Sequence, residues 1–131
     1  MNRMRSREKG FSLVELVIAL AIIGILAAIA APLYRDHLAD MRRTDGQSAL
    51  LQAAHNMQKY YSANGTYIGA VLDPSASEKG FYAISFSAGP TAQSYTMQAV
   101  PPAGQAGDGC GTLTIDQAGR KTAAGPLGEC W

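Results

Sequence analysis

The chain has 131 residues, which leaves room for one compact domain and one long helix with little to spare. Eleven basic residues face ten acidic ones, but four of the basic residues and one acid lie in the first ten positions, so the body carries seven basic against nine acidic residues. Such a body is no polycation, and bulk charge gives no support to a general nucleic-acid-binding role.

The clustered cations Arg3, Arg5, Arg7 and Lys9 read as a targeting segment, because an apolar run follows them closely. Residues 16–34, LVIALAIIGILAAIAAPLY, hold no charge and no polar side chain except the Tyr34 hydroxyl. About 20 apolar residues suffice to cross a bilayer core as a helix. Basic residues ahead of the run place the N-terminus in the cytoplasm and translocate the body. An ordinary secretory signal is the alternative, with AAIAAP as its small-residue cleavage site, although its apolar core normally has only about 7–15 residues. Glu15 stands at the edge of the run. A carboxylate in hydrocarbon costs up to about 3 kcal/mol on insertion scales, so this residue calls for a cationic partner or a solvated place among headgroups.

The stretch Lys9-Gly10-Phe11-Ser12-Leu13-Val14-Glu15-Leu16 resembles the leader junction of type IV pilins and pseudopilins: a short basic leader, Gly, Phe, Glu four residues further on, then the apolar helix. The resemblance implies cleavage between Gly10 and Phe11 by a membrane-embedded prepilin peptidase, followed by N-methylation of Phe11. It also implies that Glu15 pairs with the Phe11 amine of a neighbouring subunit during assembly, a registry role for a buried charge. Gly24 and Pro32 match the offsets at which pilin helices loosen and kink; Pro32 removes one backbone donor, and Gly24 weakens the helix by about 1 kcal/mol relative to Ala.

Beyond Tyr34, Leu38, Met41, Leu50, Ala53, Ala54, Met57, Tyr60 and Tyr61 form an apolar stripe between charged positions, as expected of an amphipathic helix lying on a domain. The pattern is weak over residues 44–48, and Asn64-Gly65 makes a C-terminal stop. A helix from Phe11 to about residue 63 measures roughly 80 Å at 1.5 Å per residue. Its apolar half belongs in lipid or in a bundle of copies.

Gly, Ala, Ser and Pro dominate after Gly65, with strand patterns over residues 82–86, 95–100 and 112–116 and a fourth strand near Lys121-Thr122. Gly89-Pro90, Pro101-Pro102 and the 117–120 turn separate them. Three or four antiparallel strands need a second layer, which the amphipathic helix supplies. The paired Cys110 and Cys130, in a chain with a targeting leader, read as one structural disulfide. Closing a loop of about 20 residues contributes roughly 3 kcal/mol in the chain-entropy treatment. The C-terminal layout, with Tyr60-Tyr61 and Asn64-Gly65-Thr66-Tyr67, resembles PilE-type minor pilins of type IVa systems.

These readings define an α+β chain: a long helix on a three- or four-stranded antiparallel sheet with a C-terminal disulfide loop. The expected divisions are a cleaved leader over 1–10, a membrane or filament-core helix over 11–34, and a periplasmic head over 35–131. Within the head they are helix 35–63, loop 64–80, sheet 81–122 and disulfide region 110–130. No catalytic constellation is recognisable, and no cofactor or metal is expected: His37 and His55 lie five turns apart, too far to share an ion. As candidate DNA contacts the sequence offers Lys79, Arg120 and Lys121. Arg42 and Arg43 fall on the helix nearer the filament core and read instead as partners of Asp40 or Asp45 at short helical spacing.

The resemblance implies a minor pilin of the inner membrane and then of an extracellular filament for adhesion and twitching. Its partners would be other pilin subunits, the prepilin peptidase, an inner-membrane platform protein with assembly ATPases, and an outer-membrane secretin. A type II secretion pseudopilin and a pilin acting as DNA receptor in transformation are the alternatives; the cysteine loop argues against the first.

Overall fold

A computed structural model describes residues 9–105 and 108–131. The chain falls into two compact units, Met1–Arg35 and Asp36–Trp131. Helix α1 runs over Leu13–Asn64. Ser12 begins it: its Oγ accepts the Glu15 amide N–H at 3.1 Å, satisfying one of the donors that a helix start leaves unpaired. Pro32 sits inside the helix without ending it. Gly65 stops it in the left-handed conformation at φ 67°, its N–H donating to the Tyr61 carbonyl.

In the first unit every large apolar side chain from Phe11 to Tyr34 is more than half exposed. Its most apolar 18-residue window has mean hydropathy 2.8, and none of its residues is buried.

The second unit is a two-layer head. Strands β1 (Ala83–Ala88), β2 (Thr96–Val100), β3 (Leu113–Asp116) and β4 (Lys121–Thr122) form one antiparallel sheet in the order β1-β2-β3-β4. Alternation along the strands sends Ile84, Met97, Ala99, Leu113 and Ile115 inward, where all are buried. The opposite face carries the cross-strand row Ser85, Gln98, Thr114 and Thr122. Gln98 Nε2 donates to Ser85 Oγ, and the hydroxyls of Thr114 and Thr122 bond each other. Against the inward face lie Gly46, Ala49, Leu50, Ala53 and Met57 of α1.

Two expectations change at this interface. Met41 is 45 % exposed and does not belong to the buried stripe, whereas the weakly patterned turn around Thr44 contains buried Gly46. The Tyr82 ring fills the space beside Gly46, so a Cβ built there would come within 2.7 Å of it. Close packing by a glycine leaves no apolar signal for periodicity to find. Arg43 pairs with Asp40 at short helical spacing as expected, and in addition it is buried.

The Cys110–Cys130 disulfide closes a 20-residue separation. Inside its loop a short helix, α2 (Leu127–Cys130), brings Cys130 to full burial. A single 3-10 turn at Ala103–Gln105 precedes the loop and buries Gln105.

Candidate functional site

At the start of the first unit Gly10 and Phe11 lie outside α1, and a Cβ at Gly10 would meet no atom within 4 Å. Phe11 is 84 % exposed. An uncovered dipeptide ahead of a helix, outside any secondary-structure element, is accessible to other proteins. Glu15 follows in the first turn of α1, where a carboxylate also complements the helix dipole. The Ser12–Glu15 spacing is that of a capping box, a sequence signal which adds a local role for Ser12 that the leader motif alone did not reveal. Arg3, Arg5 and Arg7 fall outside the described residues; Lys9 is exposed. At Gly24 an added Cβ would meet open space, and so this glycine is not held by a close contact in the single chain.

In the second unit Cys110 and Cys130 are bonded, and the segment they close is tied to α1 by polar groups. The Arg43 guanidinium donates through one terminal nitrogen to Asp40 Oδ1 at 3.0 Å and to the Glu129 carbonyl at 3.2 Å. Its other terminal nitrogen reaches Asp108 Oδ2 at 3.4 Å. Gln47 Nε2 donates to the Cys130 carbonyl at 2.6 Å. Asp108 in turn accepts the N–H groups of Cys110 and Gly111. Burial raises the Asp108 pKa, but the bonds from Cys110, Gln105 and Gly111 and the Arg43 charge outweigh it and hold the carboxyl below its ordinary range. Gln105 Nε2 reaches the hydroxyl of fully buried Tyr82 at 2.8 Å. The Asp40 partner follows from short helical spacing, whereas partners 65 and 86 residues away are invisible to such a local reading.

The three candidate DNA contacts do not converge. Arg120 and Lys121 adjoin at the β3–β4 turn and edge strand β4, whereas Lys79 precedes β1 at the opposite edge. Three interstrand spacings separate those edges, about 14 Å, and because β1 and β4 run in opposite directions their starts, which Lys79 and Arg120 precede, lie toward opposite ends of the sheet. Arg120 is 77 % exposed, with Nε held by Asp116 Oδ2 at 2.7 Å. Lys121 Nζ lies 4.7 Å from the centre of the Trp131 ring. The row of Ser85, Gln98, Thr114 and Thr122 on the outer sheet face is uncharged. The only concentrated cation pair of the three is therefore Arg120-Lys121. His37 and His55 are both exposed on α1, and no cluster of three or more metal-ligating side chains exists among the described residues.

An apolar helix behind a Gly-Phe-x-x-x-Glu junction, with a helix-on-sheet head closed by a C-terminal disulfide, is the plan of a type IV pilin. Comparison with known proteins narrows this. The prokaryotic N-terminal methylation motif matches residues 5–31, covering Gly10, Phe11 and Glu15. The family described as type IV minor pilin ComP, DNA uptake sequence receptor, matches residues 32–114. The chain belongs to this family of type IV minor pilins.

Curated relatives agree. A fimbrial protein of Dichelobacter nodosus is 38 % identical over 91 residues, covering 63 % of this chain and 54 % of the relative. The fimbrial protein EcpB of Eikenella corrodens is 70 % identical over 33 residues, 25 % of this chain and 21 % of its own. The chain spans about half the length of the Dichelobacter relatives it matches. Among solved structures, a type IV pilin from Shewanella oneidensis aligns with TM-score 0.55 and 28 % identity over 71 % of this chain and 97 % of that one. The non-core minor pilin PilV of Neisseria meningitidis aligns with TM-score 0.57 over 72 % of this chain and 95 % of that one; at 24 % identity it speaks for the fold alone.

Proposed function

We propose that this minor pilin is cut between Gly10 and Phe11, methylated at Phe11, and inserted into or at the base of a type IV pilus through its apolar helix. The observation that carries this is the coincidence of an uncovered Gly10-Phe11 bond, Glu15 in the first helical turn, and a helix half in which no apolar residue is buried. Before assembly that surface lies in the inner membrane with the head on the periplasmic side; afterwards it packs among the helices of other pilins. Cleavage creates an α-amine with an ordinary pKa near 8, cationic at neutral pH, and Glu15 of an adjacent subunit is its counter-charge. Prepilin peptidase, platform protein, assembly ATPases and secretin are the machinery such a subunit requires. Nothing in this role calls for catalysis by the chain.

The experiment is Glu15→Ala in cells lacking the wild-type copy. Membrane levels and leader removal should be unchanged while recovery in sheared filaments falls at least tenfold; incorporation at the normal level would remove the assembly role of Glu15.

A second reading, reception of DNA at the head, is favoured by the match to a family of DNA uptake sequence receptors. On this chain the contact would fall on Arg120 and Lys121 at the β4 edge, with Lys79 too far across the sheet to share it. Reversal of Arg120 and Lys121 to Glu should abolish DNA retention by the pilus and uptake into the cell, while Lys79→Glu leaves both unchanged. Equal effects of the two variants, or none from the first, would exclude this edge as the receptor surface.

A further inference from the structure

We infer that Arg43 is a positioning residue for the Cys110–Cys130 disulfide, and that oxidation of the two thiols and docking of the C-terminal segment on α1 are one coupled, redox-sensitive step. Besides Asp40 on α1 itself, Arg43 has two hydrogen-bond acceptors, and these come from the two ends of the loop: Asp108 lies two residues before Cys110, and the Glu129 carbonyl one residue before Cys130. Gln47, one helical turn further along α1, takes the Cys130 carbonyl itself. Helix α2 has four residues, too few to persist alone, and two of its carbonyls are the groups that bind α1. The disulfide therefore brings together the two distant acceptors of a guanidinium whose side chain is only 10 % exposed.

Without the bond, the Asp108 and Glu129 ends are joined only through the intervening chain, and Arg43 faces burial with an incomplete set of partners. Linkage makes the dependence reciprocal: whatever favours docking favours the disulfide by the same factor. The chemistry is thiol–disulfide exchange. The Cys110 and Cys130 thiols pass two electrons and two protons to an oxidised disulfide, forming one S–S bond and releasing two thiols. A surface cavity of about 490 Å³ that Cys110 lines together with Asp40, Arg43, Asp108 and Glu129 gives a small thiol a route to this region. Before oxidation the C-terminal segment is undocked, so the finished form of the head appears only in a compartment holding a disulfide oxidant.

The test uses the full-length chain in detergent, equilibrated with reduced and oxidised glutathione, with the Cys110–Cys130 population read by thiol alkylation and mass spectrometry. Arg43→Met keeps the length and apolar stem of the side chain. It should shift the equilibrium toward the dithiol at least tenfold, about 30 mV for a two-electron couple. Ile84→Ala, a core truncation away from the loop, controls for general destabilisation and should shift it less than threefold under the same folding conditions. Hydrogen exchange gives an independent reading: reduction of the wild type and Arg43→Met with the disulfide intact should both speed exchange at residues 127–131 while sparing β1 and β2. An unchanged glutathione equilibrium in Arg43→Met, or an equal shift in Ile84→Ala, would overturn the coupling.

Discussion

At the scale of single residues, two buried positions decide how the head is held together, and neither is apolar. Gly46 lets the Tyr82 ring lie against α1. Gly46→Ala sets two effects against each other, a gain in helix propensity of about 1 kcal/mol and an overpacking cost of about 1–3 kcal/mol. The blocking atoms belong to a ring with no exposure rather than to a flexible side-chain end, so the cost wins. Chemical denaturation should show the variant less stable by about 1–2 kcal/mol; greater stability than wild type would mean the ring can move aside.

Asp108 is the second position, with its carboxyl held below the ordinary range. A group whose folded pKa is depressed stabilises above its unfolded value, near 4 for Asp, and that contribution is lost as pH falls through the folded value. Head stability should therefore fall as pH drops below about 4. Asp108→Asn should cost about 1–2 kcal/mol at pH 7, by leaving Arg43 with Asp40 as its remaining counter-charge, and should flatten the acid limb. Asp116, also held low, keeps part of that limb in the variant. An acid limb of unchanged steepness in Asp108→Asn would remove Asp108 from this role.

At the scale of elements, the parts legible from sequence are those whose cause is local. Asn64-Gly65 announces the end of α1 because the turn needs a positive φ that glycine adopts without strain. The strand runs announce themselves by alternation, and the 117–120 turn is closed by Asp116, whose Oδ1 accepts the N–H groups of Ala118 and Arg120. The leader junction was readable because residue type and spacing coincide over a few positions. Arg43 was not, because its decisive partners come from the far end of the chain. Helix α2 escaped notice because a single turn within a Gly- and Pro-rich loop has no periodicity; its place depends on Cys130 and on α1. Lys79 joined the cationic candidates by type alone, and only the strand order shows it at the opposite edge from Arg120 and Lys121.

The disulfide loop belongs to this scale too. Replacing both cysteines by alanine should lower the stability of the head by about 3 kcal/mol, as expected for a loop of this length. Denaturation of the full chain in detergent measures it, and a loss below about 1 kcal/mol would mean that Arg43 and Gln47 hold the loop without the covalent bond.

At the scale of the whole molecule, the chain combines a head that buries its own core with a helix half that buries nothing of its own. A polypeptide with so much apolar surface uncovered is complete only in lipid or among other subunits, and the type IV minor pilin family supplies both settings. In the proposed role the leader would decide between them in time: attached, it would keep the helix in the membrane, and its removal would leave an amine for Glu15 to meet. Processing at Gly10-Phe11 is therefore the event on which the proposed role turns. It is tested most directly by mass spectrometry of the N-terminal peptide from filaments sheared off the cells, quantified against the most abundant pilin there. The expected result is a peptide beginning at N-methylated Phe11, present at a small fraction of the major subunit. A peptide beginning at Met1, or one beginning beyond Ala31 as after an ordinary secretory cleavage, would contradict it.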